Sequence, residues 1–283
     1  MAFRVLYIGL LFFYGMAMLS CRVNMSTERK TLSSLEKRGF IIKPFDVEVN
    51  NMNVHGAAFG DSSKKPLVFV HGSPGGWTDY ADFLIDSTLL QNFYVICFDR
   101  PGFGGSSPGV PMRIHDQADV LALAYHHLKP EQKAVWVGHS LGGPLVVFLA
   151  MQKPQVVSGL ALLAASVSPD LEKPEHWRFI FEKPFFKWLL PSKLYVSNRE
   201  IKMFKTDVQP LADPWNTVIM PTLIIHGKED PLVPFANSEF AMKSLPASAD
   251  ARKVEISGAN HFIPWNQFEV VRDQLIIFFA QSK

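Results

Sequence analysis

Apolar and polar residues alternate at the start of the folded part of the chain, with Phe45, Val47 and Val49 set against Asp46, Glu48 and Asn50. Strict alternation marks a strand with one buried face. A second short apolar stretch, Met52 to Phe59, follows at once, so the spacing predicts an antiparallel hairpin at a sheet edge. The pattern then changes to near-continuous apolar runs of strand length: 66–72 (PLVFVHG), 93–99 (FYVICFD), 134–140 (AVWVGHS), 159–165 (GLALLAA) and 221–227 (PTLIIHG). Runs of that kind suit strands covered on both faces. Residues 251–257 (ARKVEIS) supply a final strand.

Helical periodicity fills the gaps. Ile114, Ala118, Leu121, Tyr125 and Leu128 recur on one helical face, and Phe268, Val271, Leu275 and Phe278 mark a last helix. Strand followed by helix, repeated, predicts a mostly parallel sheet with helices on both faces. The rhythm breaks over 166–213, where Trp177, Phe179, Phe181, Phe185, Phe186, Trp188 and Tyr195 stand among Lys and Glu without a buried strand. A structureless loop of that length is improbable, so the segment is expected to be a short helical lid whose aromatics pack or line an acyl pocket. The expected organisation is 45–165 and 214–283 as the core, with 166–213 inserted.

At the N-terminus Arg4 precedes an uncharged apolar stretch from Val5 to Leu19, too short for the roughly 20 residues of a spanning helix. With Ser20 before Cys21 it reads as a signal peptide over 1–20. The arrangement resembles a bacterial lipoprotein signal, which implies lipidation of Cys21 and an exported protein anchored to a membrane on the periplasmic or outer side. The alternative is an uncleaved anchor. Residues 21–44 are polar and are expected to form a linker.

Composition narrows the chemistry. Of 283 residues 48% are hydrophobic, and Lys+Arg 28 against Asp+Glu 26 leaves a net charge of +2 without a charge run. No nucleic-acid partner is indicated. Two cysteines exclude a disulfide framework, a zinc ribbon and an iron–sulfur site, and the nine histidines show no paired metal spacing, so neither metal nor cofactor is expected. Cys97, in an apolar strand, reads as core.

The segment 134–150 carries a GxSxG pattern between an apolar strand and an apolar helix, the context that lets a serine project from a sharp turn. Gly138 and Gly142 remove side chains where backbones must pass. A serine hydroxyl needs a base to take its proton, and the base needs a carboxylate to hold its tautomer. Asp230 follows the strand at 221–227, and His261 lies in the loop after the last strand. In an open parallel sheet both loops fall at the carboxyl edge with Ser140. Glu229 and Asp170 are the rivals of Asp230. His71 and His139 are expected to be structural, with His139 pointing away from the site. Arg100 is expected to form a salt bridge that pins its loop, the other reading being a contact with a substrate carboxylate.

Together, HGSPGG (71–76), FDRPGFGGSS (98–107), GHSLGG (138–143) and the GKED and GANH segments resemble the α/β-hydrolase fold superfamily from about Phe45 to the C-terminus. The resemblance implies oxyanion donors at the backbone amides of Ser73 and Leu141. Serine at position 140 argues against the dehalogenase and epoxide-hydrolase branches, which place Asp there. The resemblance favours a serine carboxylic-ester hydrolase, esterase- or lipase-like, with a small-molecule or lipid ester as substrate. Proline iminopeptidases, carbon–carbon bond hydrolases, cofactor-independent peroxidases and non-catalytic receptors of the same fold are the alternatives.

Overall fold

Among the described residues eight strands form a single sheet, in the spatial order Pro44–Val49, Met52–Phe59, Phe93–Phe98, Lys65–Val70, Ala134–His139, Val157–Leu163, Thr222–Gly227 and Ala251–Ile256. The computed structural model describes residues 27–172, 190–213 and 215–280. The expected signal segment 1–20, Cys21 and the aromatics from Trp177 to Trp188 lie outside these residues. Among the described residues no helix is long and apolar enough to cross a membrane.

β1 (Pro44–Val49) and β2 (Met52–Phe59) form the edge hairpin, in antiparallel register from Pro44 opposite Ala57 to Val49 opposite Met52. Asn50 and Asn51 turn it with φ of 50° and 62°. A two-residue turn of type I′ needs positive φ at both positions, and Asn tolerates it. β2 then pairs antiparallel with β4 (Phe93–Phe98). The other pairings, through β3 (Lys65–Val70), β5 (Ala134–His139), β6 (Val157–Leu163), β7 (Thr222–Gly227) and β8 (Ala251–Ile256), are parallel.

Side chains alternate across a strand, so the apolar runs feed two layers. Val68, Val70, Ile96, Phe98 and Trp136 face one layer with the helices Ile114–Leu128 and Gly142–Gln152. Leu67, Phe69, Val95, Cys97, Val135 and Val137 face the other with the helix Phe268–Phe279. Cys97 is a free, fully buried thiol, and burial first, then Asp99, pushes its pKa up. Ile114, Ala118, Leu121 and Tyr125 are fully buried on the expected stripe. In the last helix Phe279, not Phe278, completes the buried face with Val271 and Leu275, because the spacing i, i+4, i+8 tracks the 3.6-residue turn.

One segment differs from the sequence expectation. Residues 27–37, within the expected linker, are helical, and Leu35 with Ile42 enters the second layer. Burial of these two apolar side chains, together with the Glu28–His55 and Arg38–Asp82 pairs, holds the segment to the domain. In the inserted segment a 17-residue helix, Ser192–Val208, buries Val196, Asn198, Glu200, Phe204, Asp207 and Val208. Its docking is partly ionic, through Arg100–Glu200 and Arg113–Asp207.

Candidate active site

The strand β5 ends at His139 and the helix Gly142–Gln152 begins three residues later. Ser140 makes that reversal with φ of 54°, a left-handed conformation that costs a side chain of this kind on the order of 1–3 kcal/mol. The turn is fastened on both sides: the Ser140 amide donates to the Leu163 carbonyl at 3.0 Å, and its carbonyl accepts from the Gly143 amide at 2.9 Å. A methyl group at Gly138 would sit 2.3 Å from the Gly142 carbonyl oxygen, and one at Gly142 would sit 2.4 Å from that of Val70. Glycine is required at both positions by close backbone approach.

The Leu141 amide opens the helix and donates to no described residue. Helix N-termini leave such donors unpaired and carry a partial positive charge. The Ser73 amide, after β3, is also without an acceptor among the described residues. Gly72 lies against the serine, since a methyl group there would be 3.0 Å from Ser140 Cβ.

His261 follows β8 and Asp230 follows β7, so both stand at the carboxyl ends of strands as Ser140 does. His261 Nδ1 donates to Asp230 Oδ2 at 2.7 Å, and the carboxylate is fully buried. The Leu232 and Val233 amides donate to Oδ1 at 2.9 and 2.8 Å, and His226 Nε2 lies 3.3 Å from Oδ2. Burial alone would raise this carboxyl pKa. The bonds from His226, His261 and the Val233 amide outweigh it and hold Asp230 well below the usual carboxylate range. An ionised Asp230 keeps the proton of neutral His261 on Nδ1 and leaves the Nε2 lone pair available as a base. Glu229 and Asp170 are exposed, and neither meets the imidazole. The Ser140 hydroxyl and the His261 ring are not hydrogen-bonded to each other; in ligand-free sites such bonds are often long and tighten with substrate.

His139 departs from expectation. Its ring does not point away but packs 4.9 Å from that of His261, and its Nε2 lies 3.1 Å from the His261 carbonyl oxygen. Burial, then the neighbouring His261, pulls its pKa down to about 3, so it is neutral and donates to that carbonyl. Trp265 closes the other side at 5.2 Å. His139 keeps the facing of Val135 and Val137 in β5, and what periodicity could not show is that the loop carrying His261 packs on that face.

His71 is structural, as expected. Its Nε2 accepts from the Arg100 amide at 2.9 Å and Nδ1 donates to the Gly72 carbonyl at 2.7 Å. Burial and then Arg100 drive its pKa well below the ordinary histidine range. Arg100 pins its loop through a fully buried pair with Glu200 at 2.8 Å. Glu200 was not singled out in the sequence, although an acidic residue in line with Val196 and Phe204 at four-residue spacing is a legible anomaly. Among the described residues no group of three or more His, Cys, Asp and Glu is arranged to hold a metal ion. A cavity of about 330 Å³ lined by Pro74, Trp77, Asp99, Gly105 and Lys193 lies beside the loop after β3, but neither Ser140 nor His261 lines it. The chemistry marks the site.

A family model described as alpha/beta hydrolase fold matches residues 65–190. The chain is 34% identical over 130 residues to a pimeloyl-[acyl-carrier protein] methyl ester esterase of Vibrio parahaemolyticus, covering 45% of this chain and 46% of that one. It therefore spans under half the length of that esterase. It is 26% identical over 273 residues to a non-heme chloroperoxidase of Streptomyces lividans, covering 80% of this chain and 95% of the relative. Among solved structures, a bacterial membrane phospholipase A superposes with a TM-score of 0.65 at 18% identity, covering 100% of this chain and 97% of that one. That likeness is one of fold.

Proposed function

The chain belongs to the α/β-hydrolase fold superfamily, and from that premise we propose that it hydrolyses carboxylic esters through Ser140, His261 and Asp230. The observation that carries the reading is the 2.7 Å bond from His261 Nδ1 to the buried Asp230, at the sheet edge where Ser140 occupies its strained turn. His261 Nε2 takes the Ser140 proton as the hydroxyl oxygen attacks the ester carbonyl. The negative charge that forms on the carbonyl oxygen is met by the Ser73 and Leu141 amides, each such donor being worth on the order of 100-fold or more in rate. Collapse expels the alcohol with the proton from His261, leaving an acyl-serine. Water, deprotonated by the same imidazole, then releases the acid and restores the hydroxyl.

The ester-cleaving relative supports an ester substrate, and the chloroperoxidase relative keeps the peroxidase branch as the alternative. The test is a panel of p-nitrophenyl esters of rising acyl length given to the full chain in detergent, beside Ser140→Ala. The substitution is expected to lower the chemical rate by about 10⁶-fold. Equal turnover by both proteins would refute the nucleophile assignment, and binding without turnover by the unaltered chain would favour a receptor.

A further inference from the structure

The Gly72–Ser73 peptide unit is gripped by its carbonyl end. Arg100 donates from Nη2 to the Gly72 oxygen at 3.1 Å, and His71 donates to the same oxygen at 2.7 Å. A trans peptide holds its C=O and N–H in one plane and pointing in opposite directions. Fixing the Gly72 oxygen therefore fixes the direction of the Ser73 N–H, on a segment that already lies against Ser140. A cation on the carbonyl also polarises the peptide and strengthens the N–H as a donor.

Arg100 is held in turn by the inserted helix. Its Nη1 and Nη2 donate to Glu200 Oε1 and Oε2 at 3.1 and 2.8 Å, with both side chains fully buried. The two remaining acceptor positions on Glu200 are filled by Gln117 Nε2 at 2.6 Å and by the Ser73 hydroxyl at 2.9 Å. The carboxylate thus touches the same residue whose amide the guanidinium orients. Phe103 covers the guanidinium at 4.9 Å, so water does not compete for it.

We propose that Arg100 and Glu200 are a positioning pair that aims the Ser73 amide at the oxyanion and ties that aim to the placement of the helix Ser192–Val208. The inference rests on the ester-hydrolase reading. It makes the inserted segment part of the rate and not only of substrate selection: displacement of this helix withdraws Glu200, frees Arg100 from its fork and lets the Gly72–Ser73 peptide rotate.

The test is the double variant Arg100→Met/Glu200→Met in the full chain, because two apolar residues of similar volume can replace a buried ion pair without leaving a lone charge. With wild type as the reference, the expected result is a kcat lower by about 10- to 100-fold and a KM within about threefold, since the amide meets charge only as the transition state forms. The inhibition constant of an alkyl boronic acid, whose tetrahedral adduct carries the oxyanion charge, is expected to rise by the same factor as kcat falls. A role confined to folding would lower the active fraction and leave the inhibition constant unchanged. Wild-type kcat in the variant, or an unchanged boronic acid affinity, overturns the proposal while leaving the triad intact. An inactive wild type would instead refute the underlying reading. If the double variant does not fold, Arg100→Lys decides, because one ammonium cannot span both Glu200 oxygens and the Gly72 carbonyl. The same loss of kcat supports the pair, and wild-type kcat overturns it.

Discussion

Asp230→Asn tests the electrostatic half of the site with little change of shape. Oδ1, which accepts from the Leu232 and Val233 amides at 2.9 and 2.8 Å, is retained as the amide oxygen, so the turn after β7 keeps its two bonds. Oδ2 becomes an NH2 group facing His261 Nδ1 across 2.7 Å. Two donors cannot share that distance, and the imidazole must move its proton to Nε2. In that tautomer it has no lone pair to offer the Ser140 hydroxyl. The variant also lacks the anion that stabilises the imidazolium formed as the proton moves. From triads of this geometry the combined loss is about 10⁴-fold in kcat, or about 5.5 kcal/mol of transition-state stabilisation. The assay is steady-state hydrolysis of a p-nitrophenyl ester, with the melting temperature measured in parallel. Stability near wild type with a rate lower by four decades is expected. A loss below tenfold in a folded protein would refute the role given to Asp230, and would mean that His261 finds its tautomer from another acceptor.

Two further outcomes are expected. His55 is hydrogen-bonded through Nε2 to Glu28 at 3.1 Å and through Nδ1 to Asp46 at 2.9 Å. Burial pulls its pKa down, but these bonds outweigh it and raise the value to about 9. A pKa raised by folding stabilises the native state fully below the unfolded value near 6.5, and that contribution disappears as pH rises through about 9. Glu28 lies in the helical stretch 27–37, so proteolysis there is expected to accelerate between pH 8 and 10; a rate independent of pH, or an equal rise in His55→Gln, would contradict it. At the N-terminus, protein extracted from membranes is expected to begin at Cys21 with added acyl mass, and an unmodified start elsewhere would end the lipoprotein reading.

The residue pattern alone was enough to locate the strands, because burial on one or both faces of a sheet is a local, periodic demand that each segment meets in its own composition. It also located the glycines around Ser140, since a methyl group at Gly138 would come within 2.3 Å of the Gly142 carbonyl oxygen in that turn. Chain order and strand ends brought Asp230 and His261 into consideration together, and the structure has them 2.7 Å apart. What the pattern could not carry were contacts made by single polar groups across long separations. Arg100 and Glu200 are a hundred residues apart, and neither segment alone shows that their charges cancel in a dry interior. The turn of His139 toward His261 and the docking of Leu35 from a polar stretch are of the same kind. Periodicity reports which side of an element is covered. Only the packed chain determines what covers it, and in this protein that decides how the groups around Ser140 are aimed.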